Sequence, residues 1–276
     1  MARIALWQAT SGIDPDANAQ DLTERAAQAA DDGAAMLFTP EMTGMLDRDR
    51  KRAASSIRSE DDDPTLASAR ETAARHGLWI ALGSVALDTG EGRWVNRSFV
   101  LDPAGEIGAR YDKLHMFDVD LADGESWRES NAYRPGDTVV TVPQTPIGRL
   151  GLAICYDIRF PALFDALGSA RCDVIAIPAA FTVPTGKAHW HILQQARAIE
   201  ASAYVVAAAQ VGEHADGRRT YGHSLVIDPW GEVLLDMGGE EPGLGFAEID
   251  PARIDHVRAQ VPSLANRRDL STAARP

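Results

Sequence analysis

The sequence predicts an α/β protein whose two similar halves each contribute a sheet, the sheets packing face to face. Three observations carry this. Short runs rich in Val, Ile and Leu alternate with Ala-rich segments of helical period. The strings Asp102-Pro103-Ala104-Gly105 and Asp228-Pro229-Trp230-Gly231 place the same type I turn chemistry between β-like runs in each half. The chain of 276 residues is 45% apolar, enough for a large core without disulfides or structural metal. No low-complexity linker separates the halves. Residues 1–276 therefore read as one domain, with a tail from about residue 262 that either extends over a neighbouring subunit or frays.

The elements follow in order. Arg3 to Gln8 reads as a strand, and Asp14-Pro15 as an N-cap with proline at the first helical position. Leu22, Ala26, Ala29 and Ala30 share one face of the helix that follows, and Gly33 ends it. Ala35 to Thr39 is a buried strand that delivers Pro40-Glu41 at its C-terminal end. Asp63-Pro64 starts another helix, Gly77 closes it, and Leu78 to Val85 returns as a strand. Asp118 to Gly136 is polar and long for a connection, which marks a functional loop.

The formal charge of -13 argues against nucleic acid and anionic membrane surfaces as partners. Only Cys155 and Cys172 could pair, too few for a secreted disulfide framework or a zinc cluster, so a cytoplasmic setting with free thiols is expected. No apolar run reaches membrane-spanning length.

Gly151 to Pro161 places Cys155 where a buried strand ends and a turn towards a helix begins. Backbone N–H groups and a helix start there would favour thiolate and hold an oxyanion. A cysteine after an apolar run is, on its own, more often inert core, and Cys172 fits that description better. Lys113 and Glu41 also follow predicted strands, and α/β sheets gather their sites at such ends, so acid, cation and thiol can meet in one pocket. Zinc-helix, serine-elbow, phosphate-loop and dinucleotide motifs are missing from the sequence. His189 and His191, two apart on a helix, point in different directions and make a poor metal pair. A papain-like pair of Cys155 with His115 or His223 remains an alternative.

These strings resemble the nitrilase superfamily of carbon-nitrogen hydrolases. Phe38-Thr39-Pro40-Glu41 matches its acid motif, Tyr111-Asp112-Lys113-Leu114-His115 its lysine motif, and Gly151 to Pro161 its cysteine motif. Arg128-Glu129-Ser130, Gly186-Lys187-Ala188-His189-Trp190 and Tyr221-Gly222-His223-Ser224 look like the Nit branch, most like its deaminated glutathione amidases. The resemblance implies a four-layer α-β-β-α sandwich and a homodimer or higher homo-oligomer. It implies no metal and no organic cofactor. It also implies Glu41 as general base, Cys155 as nucleophile, Lys113 with the Tyr156 N–H as oxyanion donors, and Glu129 as a second glutamate supporting the lysine. By the same resemblance, ammonia is expected to depart from the tetrahedral adduct, leaving a thioester from which water activated by Glu41 releases the acid. The substrate implied is a small carboxylate-bearing amide, foremost deaminated glutathione. The alternatives are an ω-amidase of α-keto acid amides, a nitrilase or an acyltransferase of the same superfamily, and a non-catalytic binding module. For the substrate carboxylates, Arg159 is the expected clamp, or else a structural partner of Asp157 or another acid; Thr182 and Thr185 are hydroxyl donors.

Overall fold

The computed structural model describes residues 1–120, 124 and 126–268. The first half runs β1 (Ala2–Gln8), α1 (Pro15–Asp31), β2 (Met36–Phe38), α2 (Arg50–Ala54), α3 (Pro64–His76), β3 (Trp79–Leu87), β4 (Val95–Leu101) and β5 (Ile107–Asp112). A small hairpin follows, β6 (Asp118–Asp120) with β7 (Ser126–Arg128). The second half runs β8 (Thr141–Thr145), β9 (Gly148–Leu152), α4 (Pro161–Ser169), β10 (Val174–Ala176), α5 (Val183–Ala201) and β11 (Tyr204–Ala207). It continues through β12 (Val211–Glu213), β13 (Arg219–Tyr221), β14 (Leu225–Ile227), β15 (Val233–Asp236), β16 (Gly243–Ile249) and α6 (Pro251–Gln260).

Two six-stranded sheets result, ordered β16-β1-β2-β3-β4-β5 and β15-β14-β11-β10-β9-β8. Each has a parallel trio, β1-β2-β3 or β9-β10-β11, with antiparallel strands outside it. Strand β16 returns to the first sheet and pairs with β1 from Gln8 to Ala2. Alternation along β1 sorts the layers. Ile4 and Leu6 join the core shared with Leu152, Val174 and Ala176 of the second sheet, whereas Ala5 and Trp7 pack with Leu22, Ala26, Leu66 and Ala69 of α1 and α3. With α4 and α5 on the far side of the second sheet, the layers are α-β-β-α, the expected fold class.

The local signals act as the residues dictate. Asp14 accepts from the N–H groups of Asp16 and Ala17, and Asp63 from that of Leu66. Gly77 closes α3 at φ 63, a left-handed cap that favours glycine. Both Asp-Pro-x-Gly turns form, Gly105 donating to the Asp102 carbonyl and Gly231 to that of Asp228, each at 2.9 Å.

Two expectations change. The segment from Asp118 to Gly136 is not all loop, since it forms the β6-β7 hairpin and a 3-10 turn at Glu129–Asn131; residues 121–123 and 125 of it lie outside the described residues. The tail is seated on α4 as far as it is described, with Arg267 Nη1 donating to the Asp165 carbonyl at 2.9 Å and to Ser169 Oγ at 2.8 Å. Residues 269–276 of the tail lie outside the described residues.

Candidate active site

Glu41 lies three residues beyond β2, Lys113 directly beyond β5 and Cys155 three residues beyond β9. Each is held by its own device. Strand β3 passes so close to Thr39 and Pro40 that a Cβ at Gly83 would collide with their carbonyl oxygens, so glycine there lets Glu41 be set against the sheet. Lys113 is anchored by its N–H to the Asn96 carbonyl at 2.9 Å. Cys155 starts a 3-10 turn at φ 48, a left-handed conformation that costs a non-glycine residue about 1–3 kcal/mol. Its N–H donates to the Pro178 carbonyl at 2.8 Å, which ties the turn to the end of β10.

The three residues meet in one cleft of about 170 Å³. Lys113 Nζ is 2.8 Å from Glu41 Oε1 and 2.9 Å from Glu129 Oε2. Glu41 also accepts from Asn96 Nδ2 at 2.9 Å and from the Ala180 N–H at 3.0 Å, while the Phe117 N–H donates to Glu129 at 2.6 Å. The Cys155 thiol shares the cleft with Glu41, near enough for the carboxylate charge to act on it. Burial pushes the Glu41 carboxyl up, but the Lys113 charge, the hydrogen bonds from Lys113 and Asn96 and the nearby Cys155 thiol outweigh it and hold Glu41 below the usual range. Burial pulls Lys113 down, yet the Glu129 and Glu41 charges carry it well above an ordinary lysine. Burial, followed by the Glu41 charge, raises the Cys155 thiol well above a free cysteine despite Lys113. This corrects the expectation of a turn that favours thiolate: the resting pair is thiol and carboxylate, so the proton must move as sulfur attacks. A thiol, an ionised base in the same cleft and a fixed ammonium are the parts needed for addition to a carbonyl.

The other expected residues divide. Tyr156, Glu129, Thr182 and Thr185 line the cleft, the two threonine hydroxyls lying 2.8 Å apart. Arg159 does not line it. Its guanidinium lies over the rings of Tyr156 and Phe181, with Nη1 3.3 Å from His189 Nδ1, because the 3-10 turn carries it past the cleft wall. Pairing with Asp157 fails as well. The fully buried Asp157 carboxylate accepts from Tyr111 Oη at 2.6 Å, from Ile154 N–H at 2.9 Å and from His115 N–H at 3.0 Å, with His115 Nδ1 at 2.7 Å. Asp157 thus braces the cysteine turn against the strand end that carries Lys113. Burial and the Asp157 charge push the Tyr111 phenol far up, so it stays a donor. His115 is committed to Asp157 and stacked on Phe160, and neither it nor His223 lines the cleft; the papain-like pairing has no geometry here. Cys172 is fully buried away from the cleft, its thiol raised to about 12 by burial.

Sequence reasoning missed Asn96 and the cations of the cleft rim. Arg48, Arg50, Arg128, Arg218 and Arg219 line the cleft with Lys113, against the acids Glu41, Asp47 and Glu129. Arg218 is tied to Asp216 and Arg128 to Asp120. Among the described residues, the exposed guanidinium groups of Arg48 and Arg219 have no hydrogen-bonded or ion-pair partner. An Asn between Val95 and Arg97 in a buried strand was the available signal for Asn96; the arginines carry no local signal.

Comparison with known proteins gives the family. The carbon-nitrogen hydrolase family matches residues 3–259. A deaminated glutathione amidase of Yersinia enterocolitica is 39% identical over 98% of this chain and 94% of its own length. The NitFhit protein of Caenorhabditis elegans superposes with a TM-score of 0.88 at 36% identity, covering 97% of this chain and 65% of that one. An amidase from Nesterenkonia sp., solved after Michael addition of acrylamide at its active site cysteine, gives a TM-score of 0.79 at 26% identity, covering 95% and 98% of the two chains. With a match that runs through all three strand-end residues, the chain belongs to the carbon-nitrogen hydrolase family, the nitrilase superfamily, as a hydrolase acting on an amide.

Proposed function

We propose that the chain hydrolyses a small carboxylate-bearing amide through a thioester on Cys155, with deaminated glutathione the preferred substrate. Glu41 takes the Sγ proton as sulfur attacks the amide carbon, and Lys113 Nζ and the Tyr156 N–H receive the oxyanion. Glu41 then delivers that proton to the amide nitrogen as the C–N bond breaks. Water, deprotonated by Glu41, attacks the thioester, and the thiol regains its proton as the acid leaves. Glu129 is a positioning residue that holds Lys113 together with Glu41. Lys113 between two carboxylates beside a buried thiol is the observation that carries this reading.

The anionic substrate is supported by the rim. A chain of formal charge -13 collects five arginines around one cleft, where they offset the repulsion a dicarboxylate would meet. The name of the Yersinia relative points the same way. In glutathione whose α-amino group is replaced by an oxo group, attack at the γ-amide releases cysteinylglycine rather than ammonia. Comparing kcat/KM for this compound, α-ketoglutaramate, α-ketosuccinamate, glutamine and an aliphatic nitrile tests the assignment. Deaminated glutathione should rank first. A tenfold preference for α-ketoglutaramate would make the chain an ω-amidase instead.

A homodimer fits the exposed Ile192 and Ile199 of α5, together with Trp230 of the β14-β15 turn and Val233 and Leu234 of β15, an apolar set suited to a second copy. Sedimentation velocity on wild type and Ile192→Asp checks this, the variant shifting to monomer. One domain over the chain and a cytoplasmic location complete the reading. The location is supported by two free, buried thiols; no helix among the described residues is long and apolar enough to cross a membrane.

A further inference from the structure

We infer that His191, His223 and Asp236 form a binding site for a borderline divalent transition metal ion such as Zn²⁺, apart from the catalytic cleft. The three side chains come from the middle of α5, from the segment between β13 and β14, and from the end of β15. His191 Nε2 is 3.0 Å from Asp236 Oδ2, and His223 Nδ1 is 2.8 Å from Oδ1 and 3.2 Å from Oδ2 of the same carboxylate. The candidate ligand atoms lie within 4.8 Å of one another. An ion bonded tetrahedrally to two imidazole nitrogens and one carboxylate oxygen at about 2.0–2.2 Å each sets its ligands roughly 3.3–3.6 Å apart, so the nitrogens, now 3.0 and 3.2 Å from Oδ2, need to withdraw from it by only a few tenths of an ångström.

The surroundings hold these groups in place. The Gly238 N–H donates to Asp236 Oδ1 at 2.9 Å, the support expected behind a ligating carboxylate. The His223 backbone is clamped on both sides, its N–H donating to the Gly238 carbonyl at 2.7 Å and its carbonyl accepting from Trp190 Nε1 at 2.8 Å. The Tyr221 ring stacks on the His223 ring with centroids 4.4 Å apart. All three side chains remain partly exposed, so an ion can enter from solvent and complete its coordination with water. Two imidazoles with one carboxylate select zinc, nickel, cobalt or copper over the oxygen-seeking magnesium and calcium. His191 is a poor partner for His189, as the sequence indicates, but its partners come from farther along the chain.

The test is a calorimetric titration of the Cys155→Ala protein with Zn²⁺, the substitution removing the catalytic thiol as a competing ligand. One ion should bind per chain. His191→Ala, His223→Ala and Asp236→Asn should each weaken binding about tenfold or more. His191→Ala lies mid-helix, where alanine is the best helix former, so circular dichroism should report an unchanged fold. Co²⁺ bound to the same protein should show visible d–d bands without a thiolate charge-transfer band. Failure of Zn²⁺ to bind, undiminished binding in His191→Ala and His223→Ala, or a thiolate band from Cys172 would each overturn the site. Because none of the three residues lines the cleft, these outcomes are independent of the amidase assignment.

Discussion

Nζ of Lys113 lies 2.8 Å from Oε1 of Glu41, and the two side chains are only 2% and 6% exposed. A buried ion pair is a weak device for stability, because desolvation offsets most of the attraction. Its value here is positional: the pair fixes a cation and a base beside one thiol. Lys113→Arg keeps the charge but replaces a compact ammonium with a planar fork. It should lower kcat/KM about a hundredfold or more, as expected for loss of one oxyanion donor. Steady-state kinetics on a variant shown folded by circular dichroism checks this; near-native kcat would mean that any positive charge suffices.

Glu129 touches Lys113 with both carboxylate oxygens, at 3.1 and 2.9 Å, and accepts from the Phe117 N–H. Glu129→Gln keeps the shape and loses the charge. We expect kcat to fall by about tenfold or more with KM little changed, since a positioning residue acts in the transition state. A variant with unaltered kcat and a lowered Tm would place Glu129 in the scaffold only.

The pH profile of kcat/KM reports the free enzyme. Below its pKa Glu41 already carries a proton and cannot accept another, so activity falls as pH falls. Lys113, Cys155 and Asn96 together hold Glu41 below the usual range against burial, so the acid limb should lie below that of an ordinary glutamate. Asn96→Ala removes one donor to the ionised form and should move the limb upward. A downward or absent shift would contradict the assignment of Glu41 as base.

Asp157 satisfies four donor groups from Tyr111, Ile154 and His115 while fully buried. Asp157→Asn offers one acceptor oxygen and brings two donors of its own, leaving buried groups unpaired at a cost of about 1–3 kcal/mol. Thermal unfolding should show a lower Tm, and kcat should fall because the Cys155 turn loses its brace. An unchanged Tm would show that the network contributes no stability of this kind.

Much of this site is legible in the sequence, because strand ends and caps are local. Asp14 and Asp63 announce helices, and the runs ending near residues 38, 112 and 152 deliver Glu41, Lys113 and Cys155. What local patterns do not carry is direction beyond a turn. Arg159 is four residues from Cys155, yet the 3-10 turn aims it at Phe181 and His189. The β6-β7 strands are three residues each and polar, so their pairing leaves no periodic trace. Arg48 and Arg219 reach one rim from distant segments, and nothing near either residue in sequence foretells it.

Those two arginines give a test of substrate charge. Arg48→Ala and Arg219→Ala should each raise KM for an anionic amide about two- to fivefold, the range for exposed ion pairs, with kcat nearly unchanged. The effect should shrink at high salt. An equal rise for a neutral amide would assign the arginines to packing rather than to charge.

Intact and peptide mass spectrometry of enzyme acid-quenched during turnover of deaminated glutathione tests the thioester on Cys155 directly. An α-ketoglutaryl acyl adduct is expected on the peptide carrying Cys155. Both adduct and turnover should be lost in Cys155→Ala and retained in Cys172→Ala. An adduct on Cys172, or full turnover by Cys155→Ala, would contradict the thioester on Cys155.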